Sequence, residues 1–251
     1  MDDDRSQLAN ALRQHLLLER GFGVEAYPRG GVVPAPAPLP SAPRPAPAAP
    51  AAAPAAPPID PTMPESLDRI AAEIAACRAC GLCAGRTNTV PGEGAAQAEL
   101  VFIGEGPGAD EDAQGRPFVG RSGELLTKMI EAMGFARNQV FIANVVKCRP
   151  PGNRAPEPAE MAACIGYLHR QLALIKPKVI CTLGNTPLRA MTGDPKKGIT
   201  SVRGQILDWN GIPLVPTFHP AYLLRNPPAK KPCWEDLKVV LKVLERTAGR
   251  P

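Results

Sequence analysis

A four-residue apolar run, Leu100-Val101-Phe102-Ile103, ends abruptly in Gly104-Glu105-Gly106-Pro107-Gly108. An uninterrupted apolar run that stops at a glycine-rich turn reads as a buried strand opening onto a loop whose backbone comes close to a ligand. Three glycines and a proline in five residues leave little side chain in the way. Backbone N–H groups are therefore the expected contacts, and they suit an anion or a developing negative charge. Glu105 is the only side chain of the loop able to do acid, base or hydrogen-bonding work.

The surrounding sequence alternates helical and strand patterns. Pro64 to Cys77 is expected to be helical, with Leu67, Ile70 and Ile74 on one face, and the strand Glu99–Ile103 follows. Ser122 is expected to cap a helix that runs to Met133 and stops at Gly134. Val140–Val146 reads as a β-branched strand. Pro158 opens a helix to Leu174, Lys178–Leu183 is a further strand, and Gly184 starts a short helix. Asn210-Gly211 between Gln205–Trp209 and Ile212–Phe218 is a two-residue hairpin signal. Trp234, Leu237, Val240, Leu241 and Leu244 mark a last amphipathic helix. Such alternation implies an α/β layer fold with a mainly parallel sheet, in which ligands sit beyond the strand C-termini. Three strand ends carry Gly104–Gly108, Asn144–Arg149 and His219-Pro220.

From Val33 to Pro64 the chain is almost entirely Pro and Ala. This composition lacks the apolar surface to fold and predicts a disordered, semi-rigid linker over 33–64. It separates a short N-terminal helical segment, 1–32, from a globular domain, 65–251. Within the first segment, Leu8, Leu12, Leu16 and Leu17 recur at helical spacing between Ser6 and Glu19. They suit either docking to a protein partner or packing back on the domain. Residues 1–60 hold five Lys/Arg against six Asp/Glu, and the rest of the chain holds 24 against 18. The basic part suggests an anionic partner, with nucleic acid the first candidate. The acidic start, Met1-Asp2-Asp3-Asp4-Arg5, has no signal-peptide core, and no stretch is apolar enough to span a membrane. A cytoplasmic, nucleoid-associated monomer is expected, with its cysteines reduced.

Cys77, Cys80 and Cys83 form C-x2-C-x2-C, the spacing of three ligands in a ferredoxin-type cluster. Cys148 and Cys164 lie far downstream, at a strand end and on a helix. Thiolates gathered from separate elements suit an iron–sulfur cluster or a structural zinc, and spacing alone leaves the ligand set open. Cys181 reads as a buried hydrophobe, and Cys233 has no partner motif. Asn144 carries a donor and an acceptor on one amide and so can read a nucleobase edge or cap a strand end. Phe118, in the Gly/Pro-rich loop Arg116–Gly120, can stack on a base or pack in the core. His219 is the best placed of three histidines; His15 and His169 fall in helical stretches. Leu223-Leu224-Arg225 on an expected loop offers a wedge and a phosphate contact, or packs as a short helix.

Taken together, Gly104-Glu105-Gly106-Pro107-Gly108, Pro117-Phe118-Val119-Gly120, Asn144-Val145-Val146-Lys147-Cys148-Arg149-Pro150-Pro151 and His219-Pro220-Ala221 resemble the type 4, iron–sulfur uracil-DNA glycosylases. The resemblance runs from about Ser66 to Leu244. It implies a three-layer α/β/α fold and a 4Fe–4S cluster held by Cys77, Cys80, Cys148 and Cys164, with Cys83 a bystander. It further implies a monofunctional DNA repair hydrolase that removes uracil from single- and double-stranded DNA and leaves an abasic site. The alternative is a catalytically silent iron–sulfur module that binds nucleic acid.

On this resemblance the uracil pocket comprises Gly104, Glu105, Gly106, Glu111, Phe118, Asn144 and His219. Phe118 would stack on the flipped base, and Asn144 would pair with uracil N3–H and O4. His219 and the backbone of the Glu105 loop would stabilise charge at O2, which makes Glu105 and His219 the catalytic pair. Glu111 would crowd the uracil 5 position, the alternative being a solvated acidic turn. Ser122, Leu223, Leu224 and Arg225 are the expected DNA contacts. The related single-domain glycosylases carry an aspartate at the third loop position, where this chain has Gly106.

Overall fold

A computed structural model describes residues 64–248; the expected N-terminal helix and nearly all of the Pro/Ala linker lie outside the described residues. Six strands form one sheet: β1 (Glu93–Gly94), β2 (Leu100–Gly104), β3 (Phe141–Asn144), β4 (Val179–Leu183), β5 (Leu207–Trp209) and β6 (Ile212–Thr217). Their order is β1-β3-β2-β4-β6-β5. The four central strands are parallel, and short antiparallel strands close both edges. Every residue of β2, β3 and β4 is buried, as expected of parallel strands covered on both faces.

Among the described residues eight α-helices accompany this sheet: α1 (Leu67–Ala76), α2 (Ala109–Gln114), α3 (Arg121–Ala132), α4 (Pro158–Ile175), α5 (Asn185–Thr192), α6 (Ile199–Val202), α7 (Pro220–Arg225) and α8 (Lys230–Ala248). Side chains alternate across a strand, so each face has its own partners. Val101, Ile103, Ala143, Ile180 and Leu214 pack with Leu168, Leu172 and Ile175 of α4. On the other face the Thr217 hydroxyl of β6 donates to Asp236 Oδ2 (2.7 Å) and lies 3.2 Å from Cys233 Sγ, both on α8. The molecule is thus a three-layer α/β/α fold with a mainly parallel sheet. Full burial of each Leu, Ile or Phe in these layers contributes roughly 1.5–3 kcal/mol.

Local chemistry explains most element ends. Ser66 caps α1 by accepting from Arg69 N. Pro158 occupies the first turn of α4, which ends at Lys176 in the left-handed region just before Pro177. Asn210 and Gly211 both have positive φ, 50° and 83°, as a tight hairpin between β5 and β6 requires.

Three boundaries differ from the sequence expectation. Ser122 does not cap α3: the helix starts at Arg121, with Gly120 as the capping residue. The strand expected over Val140–Val146 is β3 alone, although Val145 N and Val146 N still reach Gly104 O (3.0 Å) and Glu105 O (3.2 Å). Leu223 and Leu224 stand on α7 rather than on a loop.

Candidate active site and thiolate cluster

The parallel register places the C-terminal ends of β2, β3, β4 and β6 on one edge, with Gly104 directly beside Asn144. A cleft of about 490 Å³ opens there. Its lining includes Glu105, Gly106, Glu111, Phe118, Ser122, Asn144, His219 and Arg225, brought together from segments far apart in sequence. Gly104 is buried beneath them. A Cβ on Gly104 would lie 2.4 Å from Asn144 Oδ1 and 2.6 Å from Phe118 Cζ, so this glycine makes room for both side chains.

Asn144 is 2 % exposed, and its Oδ1 has no hydrogen-bond partner. A buried, unpaired acceptor carries a desolvation cost of about 1–3 kcal/mol, which a donor on a bound molecule relieves. The Phe118 ring lies 5.6 Å, centroid to centroid, from that of His219. His219 Nδ1 accepts from Ala221 N at 3.1 Å, so Nδ1 is unprotonated and the proton of the neutral ring resides on Nε2. Burial pushes the His219 pKa down to about 4; Arg225 acts in the same direction and Glu111 against it.

Phe118 has φ +52°, a left-handed conformation that costs a large side chain free energy and persists only where its surroundings hold it. Two constraints do so. A Cβ on Gly123 would lie 1.9 Å from Phe118 O, so the backbone passes where only glycine fits. Glu111 supplies the second: its Oε1 accepts from Val119 N (3.0 Å) and Gly120 N (3.1 Å), and its Oε2 accepts from Gly108 N (3.0 Å). One carboxylate therefore ties the glycine-rich loop to the Phe118 loop. The acidic turn Asp110–Asp112 is not solvated as a whole. Asp112 is also buried and accepts from Thr87 N (2.9 Å), while Asp110 is exposed. Behind the loop, Arg137 donates to Pro117 O (2.6 Å) and to Glu93.

Glu105 lines the cleft, and its Oε2 accepts a short hydrogen bond from Thr186 Oγ1 in the first turn of α5. A side chain at Gly106 would meet Val146 Cγ2 at 2.7 Å, so the loop backbone leaves no space for an acid there.

Of the apolar pair on α7, Leu223 is 0 % exposed and packs in the core, whereas Leu224 is 43 % exposed. Of the expected pair Leu224 alone is accessible, and its neighbour Tyr222 lines the cleft with its ring centroid 5.0 Å from that of Phe218. Asn153, Arg154 and Asn185 also line the cleft and were not singled out from sequence. Asn153 and Arg154 lie within and just after a Pro/Gly-rich turn, and Asn185 follows a glycine at a strand end, the one signal that could have found them.

Cys77, Cys80, Cys83, Cys148 and Cys164 line a second, small cavity with Arg86, Lys147 and Tyr167. Among the described residues no three Cys, His, Asp or Glu side chains stand at the spacing of a single metal ion. A cubane cluster binds each thiolate through a different iron, so its sulfurs stand further apart than ligands of one ion. The surroundings suit thiolates: Arg86 Nη1 donates to Cys148 Sγ (3.2 Å) and Lys147 N to Cys164 Sγ (3.3 Å). Burial is the largest cause that pushes the Cys164 thiol up to about 11 and raises Cys148, against the lowering pull of Lys147 and Arg86, so these sulfurs ionise readily only against a metal's charge. The donor set fits an iron–sulfur cluster. Cys148 lies between Asn144 and Pro150, both of which line the cleft.

Residues 91–238 match the family described as the uracil DNA glycosylase superfamily. The chain is 48 % identical over 184 residues to a type-4 uracil-DNA glycosylase of Sulfurisphaera tokodaii, covering 70 % of this chain and 84 % of that protein. It is 49 % identical over 166 residues to the type-4 uracil-DNA glycosylase of Thermotoga maritima, covering 66 % and 86 %. It is 46 % identical over 195 residues to that of Saccharolobus solfataricus, covering 74 % and 89 %. The chain thus belongs to the uracil-DNA glycosylase superfamily and, within it, to the type-4 family.

Proposed function

We propose that this protein is a monofunctional DNA repair glycosylase that hydrolyses the N-glycosidic bond of uracil in single- and double-stranded DNA and leaves an abasic site. The observation that carries the assignment is the buried, unpaired Asn144 Oδ1 at the floor of the cleft. Uracil presents N3–H as a donor beside O4 as an acceptor, and one amide satisfies both. Cytosine presents the reverse pattern and would leave the amide mispaired, a discrimination of about 10⁴ or more.

The target base reaches such a pocket only after leaving the stack. Phe118 supplies the stacking surface, and Tyr222 in the cleft lining and the exposed Leu224 on the same helix are the side chains available to fill the space the base vacates. As the bond from N1 to C1′ breaks, its electron pair moves into the uracil ring and charge grows on O2. His219 is suited to donate from Nε2 as a neutral imidazole, because its Nδ1 is occupied by Ala221 N–H. Backbone N–H groups of the Glu105 loop add to this stabilisation. Water supplies the oxygen that bonds to C1′, and Glu105 is the acid available to orient it. Among the described residues no lysine lines the cleft, in keeping with hydrolysis without a covalent intermediate.

Cys77, Cys80, Cys148 and Cys164 would hold a 4Fe–4S cluster, with Cys83 outside the ligand set. When bound, the cluster supplies a cross-link between α1, the segment after β3 and α4, and no reacting group.

The direct test is uracil release from single- and double-stranded oligonucleotides at enzyme excess, with abasic sites read by alkaline cleavage. Cleavage at uracil but not at cytosine or thymine is expected; no abasic product at all would sink the enzyme assignment.

A further inference from the structure

The cleft lining contains two carboxylates, Glu105 and Glu111. Glu111 is consumed by three backbone N–H groups on two loops. Gly106 has no room for a third, with Val146 Cγ2 at 2.7 Å from its Cβ position. Among the described residues Glu105 is therefore the one lining carboxylate left for chemistry. One of its oxygens, Oε2, is taken by the hydroxyl of Thr186, and among the described residues no other protein donor reaches this carboxylate.

We infer that Thr186 is a positioning residue for the reaction. Its hydroxyl fixes the Glu105 carboxylate so that Oε1 alone is open to the water that attacks C1′. This rests on the glycosylase reading above. The geometry supports it from both sides. Thr186 stands in the first turn of α5, which leaves β4 through Gly184 at φ +95°, and that turn is anchored where Asn185 Oδ1 accepts from Ile199 N at 2.8 Å. Glu105 stands at the end of β2, and its own carbonyl accepts from Val146 N at 3.2 Å. Two fixed backbones thus hold donor and acceptor, and the Glu105 side chain is the one part that a lost hydroxyl would free. In the attack, water oxygen bonds to C1′ as the bond to N1 breaks. The pair from that bond goes to uracil, and the water proton passes to Glu105 and on to solvent. A carboxylate pinned at one oxygen presents the other in one place, which favours the attack through orientation.

The test uses the cluster-loaded protein and single-turnover uracil release. Thr186→Val keeps the side-chain shape and deletes the donor; the rate should fall about tenfold, as for loss of one hydrogen bond to a charged group, with KM within about twofold. Thr186→Ser restores the hydroxyl and should recover the parental rate. In a Glu105→Gln background Thr186→Val should cost little more, because the two act as one unit. Thr186→Ala serves as a second deletion if the valine variant loses its visible absorbance. A parental rate in either deletion variant, a serine variant as slow as valine, or a full additional loss in the Glu105→Gln background would each overturn the inference. A parent protein that releases no uracil would instead sink the glycosylase reading, and this inference with it.

Discussion

Replacing Glu111 by Gln separates two roles for this acid: holding the pocket together and touching the base. The side chains match in size, so the change alters charge and donor pattern only. In the better of its two orientations, Gln keeps its oxygen toward Val119 N and Gly120 N and turns its NH2 toward Gly108 N. The two retained bonds lose their ionic character, about 0.5–1.5 kcal/mol each. The Gly108 N–H then faces another donor, which costs about 1–3 kcal/mol. The expected loss is about 3 kcal/mol, allowing for some loop relaxation. For a domain of this size that lowers Tm by about 6–12 °C, read by circular dichroism. Because Val119 and Gly120 follow the strained Phe118, uracil release should fall about 10–100-fold through a mispositioned stacking ring. Glu111→Asp should behave similarly, since a shorter side chain cannot span both loops. If the Gln variant melted with the parent and merely began to release thymine, Glu111 would act on the uracil 5 position and the loop clamp would be refuted.

The Asn144→Asp variant presents acceptors to both N3–H and O4; uracil release should fall at least about 10³-fold at neutral pH, and an unchanged rate would remove Asn144 from the pocket. The His219 pKa lies near 4, below its unfolded value of about 6.5, so the neutral ring stabilises the fold above pH 6.5 and that contribution is lost as pH falls through 4. Single-turnover rates should accordingly show no loss from this group between pH 7 and about 5, whereas a decline centred near 6.5 would contradict the Nε2–H donor. For the cluster, Cys83→Ser should keep the brown visible absorbance of the purified protein and Cys148→Ser should lose it; the reverse would exchange Cys83 for Cys148 in the ligand set.

The convergence of Gly104, Asn144 and His219 was legible because parallel strands deliver their C-terminal ends to one edge, and the apolar runs marked those strands directly. What sequence could not show was the use made of each polar group. Asp110-Glu111-Asp112 could be read from sequence as a solvated acidic turn or, at Glu111, as a contact to the base; the middle and last acids instead turn inward, where five backbone N–H groups from Thr87 to Gly120 need acceptors. Leu223 and Leu224 are identical in composition, and only the path of α7 decides that one faces the core and the other solvent. Ser122 lies inside α3 rather than at its cap because the chain, entering past Phe118 at positive φ, starts the helix two residues earlier, with Gly120 as the cap. The pairing of Thr186 with Glu105 spans two strands with no local signal.

The glycines of the motif carry a different meaning in space than on paper. A glycine-rich loop suggests backbone freedom, but in the described backbone neither Gly104 nor Gly106 nor Gly123 has a positive φ. Each is a place where a Cβ would strike a specific neighbour: Asn144 and Phe118 at the first, Val146 at the second, the Phe118 carbonyl at the third. Two of those neighbours, Asn144 and Phe118, are the groups assigned to reading and stacking the base, and neither can retreat. Asn144 is locked in register beside Gly104, and Phe118 is held by Glu111 and Gly123. The pocket is therefore set by excluded volume around a rigid sheet edge. That also explains why the acid found in related glycosylases cannot simply occupy position 106: the space it would need is filled by Val146, the third residue of the sheet-edge segment that begins with Asn144. Catalytic demand on a carboxylate then falls on the neighbouring position, Glu105, which must borrow its orientation from Thr186 in the first turn of α5.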